Sequence, residues 1–163
     1  KTVRLISQID SDTAFTFKRL CSIAISLRVG AAVWDARVSS LDGNANANAL
    51  RPYGLSYDQL NILNEFGLVI ADYNSWMSYE PSVATNNRVY GLLRFGGKDW
   101  VLQPTPERAA DAQLKFHGVA LTRAGRELMG IVDIEHDGQY RNAFEKYLLD
   151  NKLALEEFTS VGP

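Results

Sequence analysis

The residues most able to do chemistry in this chain are few. Asp133-Ile134-Glu135-His136-Asp137-Gly138 puts oxygen donors at alternate positions and a glycine at the sixth, the opening rhythm of a calcium loop. Its ninth position is Arg141 and its twelfth is Phe144, so the bidentate carboxylate is missing and a cation would stand beside the ion. His117 and His136 are the only histidines, too few for a His-rich metal cluster, and they leave little for Ser-His-Asp chemistry. His117, within Lys115-Phe116-His117-Gly118, reads as a structural strand residue. Gly96-Gly97-Lys98 lacks the upstream glycine and the following Ser or Thr of a phosphate loop and reads as turn chemistry. The single Cys21 lies in an apolar helical pattern with no cation at helical spacing on its stripe, so a buried, inert thiol is expected. Carboxylates are plentiful, but none are paired in an apolar setting. No catalytic, cofactor-binding or metal-ligating residue is expected, and the chain reads as a non-enzyme.

The elements that would position these residues follow from periodicity. Residues 12–27 read as a helix capped by Asp12, with Phe17, Leu20, Cys21, Ala24 and Leu27 at helical spacing and Ile23 and Ile25 widening the stripe. Residues 30–54 give a weaker signal: an extended or short helical stretch near Val33-Trp34, then a loop leading into a short helix ending near Tyr53. Ser56 caps a helix that carries Leu60, Leu63 and Phe66 on one side and closes at Gly67, and Leu68-Val69-Ile70 starts a strand. Residues 88–95 and 98–103 read as strands around Gly96-Gly97, a two-residue hairpin signal. Residues 114–121 read as a further strand, and Thr122 caps a helix with Ala124, Leu128 and Ile131 on one side. A last helix over 139–150 buries Tyr140, Phe144, Tyr147 and Leu148.

Two stretches resemble the winged-helix family. The run from Leu60 through Gly67 to Val69 is similar to that family's helix passing through a glycine into the first wing strand. Leu121-Thr122-Arg123-Ala124-Gly125 looks like the leucine-threonine-x-x-glycine opening of the helix after the wing in bacterial regulators. The two flank the Gly96-Gly97 hairpin, and the matches span residues 56–128. The resemblance implies an α+β, winged-helix-like helical domain with a β-hairpin wing and an additional C-terminal helix. On that expectation residues 1–163 form a single domain, with a core over about 12–132 and a C-terminal helical extension over about 138–163. Residues 5–27, and the spacing from the first helix to Ser56, also look like an uncharacterised bacterial domain family of unknown function. Packing accounts for the second motif physically: Thr122 satisfies an orphan amide, and Gly125 allows close approach to the sheet.

Winged-helix proteins commonly place the helix equivalent to residues 56–66 in the DNA major groove. Projected at about 100° per residue, that helix turns Asp58, Asn61 and Glu65 outward, flanked by Tyr57 and Asn64. No Lys or Arg occurs from Pro52 through Asn87, whereas Asp58, Glu65, Asp72 and Glu80 do, so the segment is net negative by four. A net charge of −2 over the chain offers no compensation. Arg94, Lys98, Arg123 and Arg126 cluster in sequence around the hairpin and are the candidate nucleic-acid contacts; Asn61 and Asn64 could read adenine. The leading expectation is therefore a winged-helix protein-interaction or regulatory module, with sequence-specific DNA binding as the alternative. Candidate partner contacts are Tyr57, Asp58, Asn61, Asn64, Glu65 and Trp76, the partner being another protein or the rest of its own chain, and a homodimer through the terminal helices is compatible.

At 163 residues with 46% apolar content the chain has enough apolar surface for a sizeable core. No apolar run approaches the roughly 18 residues of a membrane span, and one cysteine permits no internal disulfide, so a cytoplasmic setting is expected. The chain starts at Lys1 without Met, as expected for part of a longer protein.

Overall fold

The structure, a computed structural model, describes residues 9–159. Its elements are α1 (Ser11–Ile23), β1 (Ile25–Val29), β2 (Ala32–Ser39), α2 (Tyr57–Glu65), β3 (Ser75–Ser78), β4 (Leu92–Phe95), β5 (Lys98–Pro104), β6 (Lys115–Ala120), α3 (Arg123–Met129), α4 (Gly138–Asp150) and β7 (Leu153–Glu157). Short 3-10 turns stand at Ala45–Ala47, Arg51–Tyr53 and Glu80–Ser82. The seven strands make one sheet in the order β3-β6-β2-β1-β4-β5-β7, and every pairing within it is antiparallel.

This sheet overturns the winged-helix expectation. The Gly96-Gly97 hairpin exists as β4 and β5, both glycines taking the positive φ that a tight turn needs. It is not a small wing beside a helical domain, because β4 pairs with β1 and β5 with β7 inside the large sheet. Leu68-Val69-Ile70 forms only an isolated bridge, Val69 to Leu121, rather than a wing strand.

The cause is visible at α1. Its cap is the Asp10 carboxylate, two residues before the expected Asp12, which lies in the first turn, and the helix stops at Ile23 because Ala24 is already extended at ψ 146°. Ile25 and Leu27 are strand residues of β1 rather than part of a helical stripe. Both faces of that half of β1 are covered, so Ile25, Ser26 and Leu27 are all buried and the period-two alternation is masked. The C-terminal segment likewise holds α4 followed by β7, which adds an edge strand beside β5. The beginning of the residue 5–27 likeness and the last residues of the 138–163 segment lie outside the described residues.

Much local chemistry matches its expected role. Ser56 caps α2 in a reciprocal capping box with Gln59, and Gly67 takes φ +71° just past its end. The two motifs that carried the resemblance do meet. Thr122 Oγ1 accepts from the Gly125 amide at 3.0 Å and donates to the Gly67 carbonyl at 2.5 Å, while the Thr122 amide donates to Leu68 O at 3.0 Å. A Cβ on Gly125 would lie 2.2 Å from Leu68 O, so only glycine permits this approach.

On one face of the sheet α4 buries Tyr140, Phe144 and Leu148. Phe144 packs 5.0 Å from Phe95 and 5.7 Å from Phe116, and Tyr140 Oη donates to Ser39 O at 2.7 Å. The same face holds a buried ionic group on β2. Arg37, only 3% exposed, donates from Nε and Nη2 to the Asp35 carboxylate at 2.6 and 3.0 Å and from Nη1 to Ser75 O and Phe116 O at 2.7 and 3.1 Å. Tyr79 Oη donates to Asp35 Oδ2 at 2.7 Å. Losing one partner strands the other charge in the interior at a cost of about 3–5 kcal/mol. Asp35→Ala is therefore expected to lower unfolding free energy by about 3–5 kcal/mol in urea melts. Asp35→Ala combined with Arg37→Met is expected to be less damaging than Asp35→Ala alone.

Candidate functional site

Above the opposite face of the sheet a half-open groove of about 640 Å³ runs between the β4–β5 turn and the C-terminal end of α3. Register explains its floor. Ser26 and Arg94 face each other across β1 and β4, one position out of step with the Ile25–Phe95 pair, whose Phe95 meets α4. Successive side chains in a strand point to opposite faces, so Ser26 and Arg94 point away from α4. The Ala36 side chain, opposite Ser26 on β2, shares that face. A bulge between Leu27 and Arg28 leaves Trp34 as an extra residue on β2 and sets Val33 at the groove wall. Met129 and Arg126 come from α3, and Val132 and Ile134 from the segment behind it.

The volume is that of a small-molecule site, whose usual range is about 300–1,000 Å³. Its walls are mainly apolar, and its polar side chains are those of Ser26, Arg94, Arg126 and Asp133. Ser26 is 7% exposed, and among the described residues its hydroxyl makes no hydrogen bond. Arg126, half-buried, makes no side-chain hydrogen bond or ion pair among the described residues. Arg94 is partly committed: it donates to Asp99 Oδ1 at 3.2 Å and to Gly97 O at 3.2 Å. Asp133 contributes a carboxylate at the exposed side of the groove. Cys21 also lies in the wall, where burial pushes its thiol up to about 12. That thiol is uncharged near neutral pH, as expected for an inert cysteine.

The arginines singled out in the sequence thus separate into two groups. Arg94 and Arg126 line one groove although 31 intervening residues separate them in sequence. Lys98 instead lies 3.6 Å from Glu157 on β7, and Arg123 pairs along its own helix with Glu127. The candidate contacts on α2 lie outside the groove. Tyr57 is exposed with its ring edge against Tyr73, and Asp58 and Glu65 face solvent. Asn61 Oδ1 accepts from Tyr73 Oη at 2.6 Å, and Asn64 Nδ2 donates to Val69 O at 2.9 Å. Each of these bonds fixes the orientation of its amide against the protein. Trp76 is exposed on edge strand β3, with the Lys115 ammonium 4.3 Å above its ring. His117 stands opposite Trp76 on β6, and His136 borders a smaller cavity of about 220 Å³ with Ser22 and Arg141.

Sequence reading missed Ser26, Met129 and Val132. One signal was present: Ser26 interrupts the apolar run Ile23-Ala24-Ile25 before Leu27, and a hydroxyl within a buried run asks what it bonds. No signal in the sequence ties residues 126–134 to residue 26.

Together these features define an antiparallel sheet protein with α4 on one face and a mixed apolar and cationic groove over the other. No protein-family model matches the chain, and neither a curated protein nor a solved structure matches it. Among the described residues, no helix is long and apolar enough to cross a membrane.

Buried ionisable groups make stability depend on alkaline pH. Burial raises the Cys21 thiol from 9.0 and the Tyr140 phenol from 10.0; burial, and then the adjacent Asp35 charge, raise the Tyr79 phenol well above 10.0. Below the unfolded-state values all three are neutral in both states and cost nothing. Above them the unfolded chain gains negative charge that the folded chain resists, so stability falls as pH climbs from about 9 towards 12. Urea melts are expected to show a falling midpoint across that window. At pH 8 Cys21 is expected to resist iodoacetamide until the protein unfolds.

Proposed function

We propose that this chain is a non-catalytic regulatory module that works by taking a small, largely apolar molecule into the groove between the β4–β5 turn and α3. The observation that carries this reading is the pairing of an apolar groove with polar groups that have no partner of their own, the Ser26 hydroxyl and the Arg126 guanidinium. The Ser26 hydroxyl is reached by solvent from the groove rather than sealed in the core, so a ligand entering there can bond it by displacing water. The protonated Cys21 in the wall offers no nucleophile, which favours binding over covalent chemistry. The cation-free stretch from Pro52 through Asn87, with Asp58 and Glu65 facing solvent on α2, weighs against DNA as the partner.

Titrating the ¹⁵N-labelled chain with 1-decanol tests the reading. Shifts are expected at the amides of Ser26, Gly96, Gly97 and Met129, and Val132→Trp, which places bulk in the groove, is expected to weaken them about tenfold or more. Absence of shifts at these amides with decanol and with a set of apolar fragments would overturn it.

A further inference from the structure

We infer that the groove selects a monoanion, a carboxylate carried on an apolar body, and that Arg126 is the residue that grips it. This rests on the groove being the binding site proposed above and assigns the charge of its occupant.

The inference follows from how charge is already committed around the groove. Two guanidinium groups border it, a combination suited to planar, bidentate recognition of an oxyanion. They are not equivalent. Arg94 is tied to Asp99 and to the turn carbonyl of Gly97, so its charge is largely balanced before any ligand arrives. Arg126 has no such partner among the described residues and lines the groove together with Met129. One uncommitted positive charge therefore faces the groove, against one lining carboxylate, Asp133, at the exposed side.

That balance suits a single negative charge and disfavours two. A phosphate monoester would bring close to two negative charges past Asp133 to one free guanidinium. A carboxylate brings one charge and two acceptor oxygens, enough to accept from Arg126 and from the Ser26 hydroxyl. The apolar body then lies against Val33, Val132 and Ile134, whose neighbour Ile131 adds apolar surface beside the groove. Because Ser26 sits on β1 at the centre of the sheet while Arg126 sits on α3, a ligand bridging them would also hold α3 against the sheet.

Isothermal calorimetry with decanoate below its micelle concentration, 1-decanol and decyl phosphate tests this. The expected result is decanoate binding about tenfold or more tighter than decanol, with decyl phosphate no tighter than decanoate. Arg126→Gln, confirmed as folded by its circular dichroism spectrum, is expected to weaken decanoate binding about tenfold or more and far more than decanol binding, so that the preference for decanoate is lost. Arg126→Lys, which keeps the charge and loses the fork, is expected to retain part of the preference, and Ser26→Ala to reduce it without abolishing it. Equal affinity for decanoate and decanol in the unaltered chain, or a preference that survives Arg126→Gln, would overturn the inference while leaving the groove as a binding site. Tighter binding of decyl phosphate would overturn the monoanion assignment. If none of the three probes binds, the groove reading fails and this inference with it.

Discussion

The buried contact between Asp35 and Arg37 is the interaction around which the rest of the sheet is arranged. Two full charges next to each other on β2 are expensive to remove from water, and the structure offsets that cost by satisfying their hydrogen-bonding groups from several directions. Arg37 reaches the backbone of β3 and β6, and Asp35 also receives the Tyr79 hydroxyl from beyond β3. One guanidinium thus ties three strands together. A one-residue slip of β2 would move both charges to the other face, away from these partners. The pair therefore specifies register beyond whatever net stability it supplies.

That register reaches the groove. With Asp35 opposite Leu27, Ala36 stands opposite Ser26, and the bulge immediately beyond leaves Trp34 as the extra residue and sets Val33 at the groove wall. On the next strand pair Ser26 stands opposite Arg94, whose guanidinium is braced across the Gly96-Gly97 turn by Asp99. The upper wall depends on a second contact, the seating of Thr122 and Gly125 on the backbone at Gly67 and Leu68. This seating places the start of α3, so Arg126 and Met129 follow over the sheet. The charge network fixes the register of the groove's floor, and the glycine contact seats the helix that walls it.

The groove sets a half-buried cation without a partner against an apolar lining. Some cations elsewhere are paired, as in Lys98 with Glu157, Arg123 with Glu127, and Arg141 with Glu145, while Arg28, Arg51, Arg88 and Lys146 are exposed and without an ion pair among the described residues. Exposed pairs of this kind contribute little individually, but they leave little charge for a partner. The cation beside the unbonded Ser26 hydroxyl has no such local partner among the described residues. The electrostatic individuality of the site comes from holding that cation in an apolar groove and not from net charge, which is nearly neutral for the chain.

The sequence by itself determined the local signals: Ser56 and Thr122 as helix caps, Gly67 and Gly96-Gly97 as positive-φ positions, and the spacing of Tyr140, Phe144 and Leu148. Each depends on groups within a few residues of one another, where spacing alone sets geometry. Tertiary structure decided what those signals built. The hairpin is a pair of strands in a seven-stranded sheet and not a wing, because strands far away in sequence flank it. Ile25 to Leu27 form a strand because cover on both faces suits an extended chain as well as a helix, and burial on both sides erases the periodicity that would distinguish them. The charged residues of β2 look solvent-bound until Tyr79 and the carbonyls of Ser75 and Phe116 arrive to satisfy them. Arg94 and Arg126 were visible as cations, but only the antiparallel register and the seating of α3 decided that they share a groove with Ser26. Which charges remain uncommitted is a property of distance in space, and sequence spacing does not carry it.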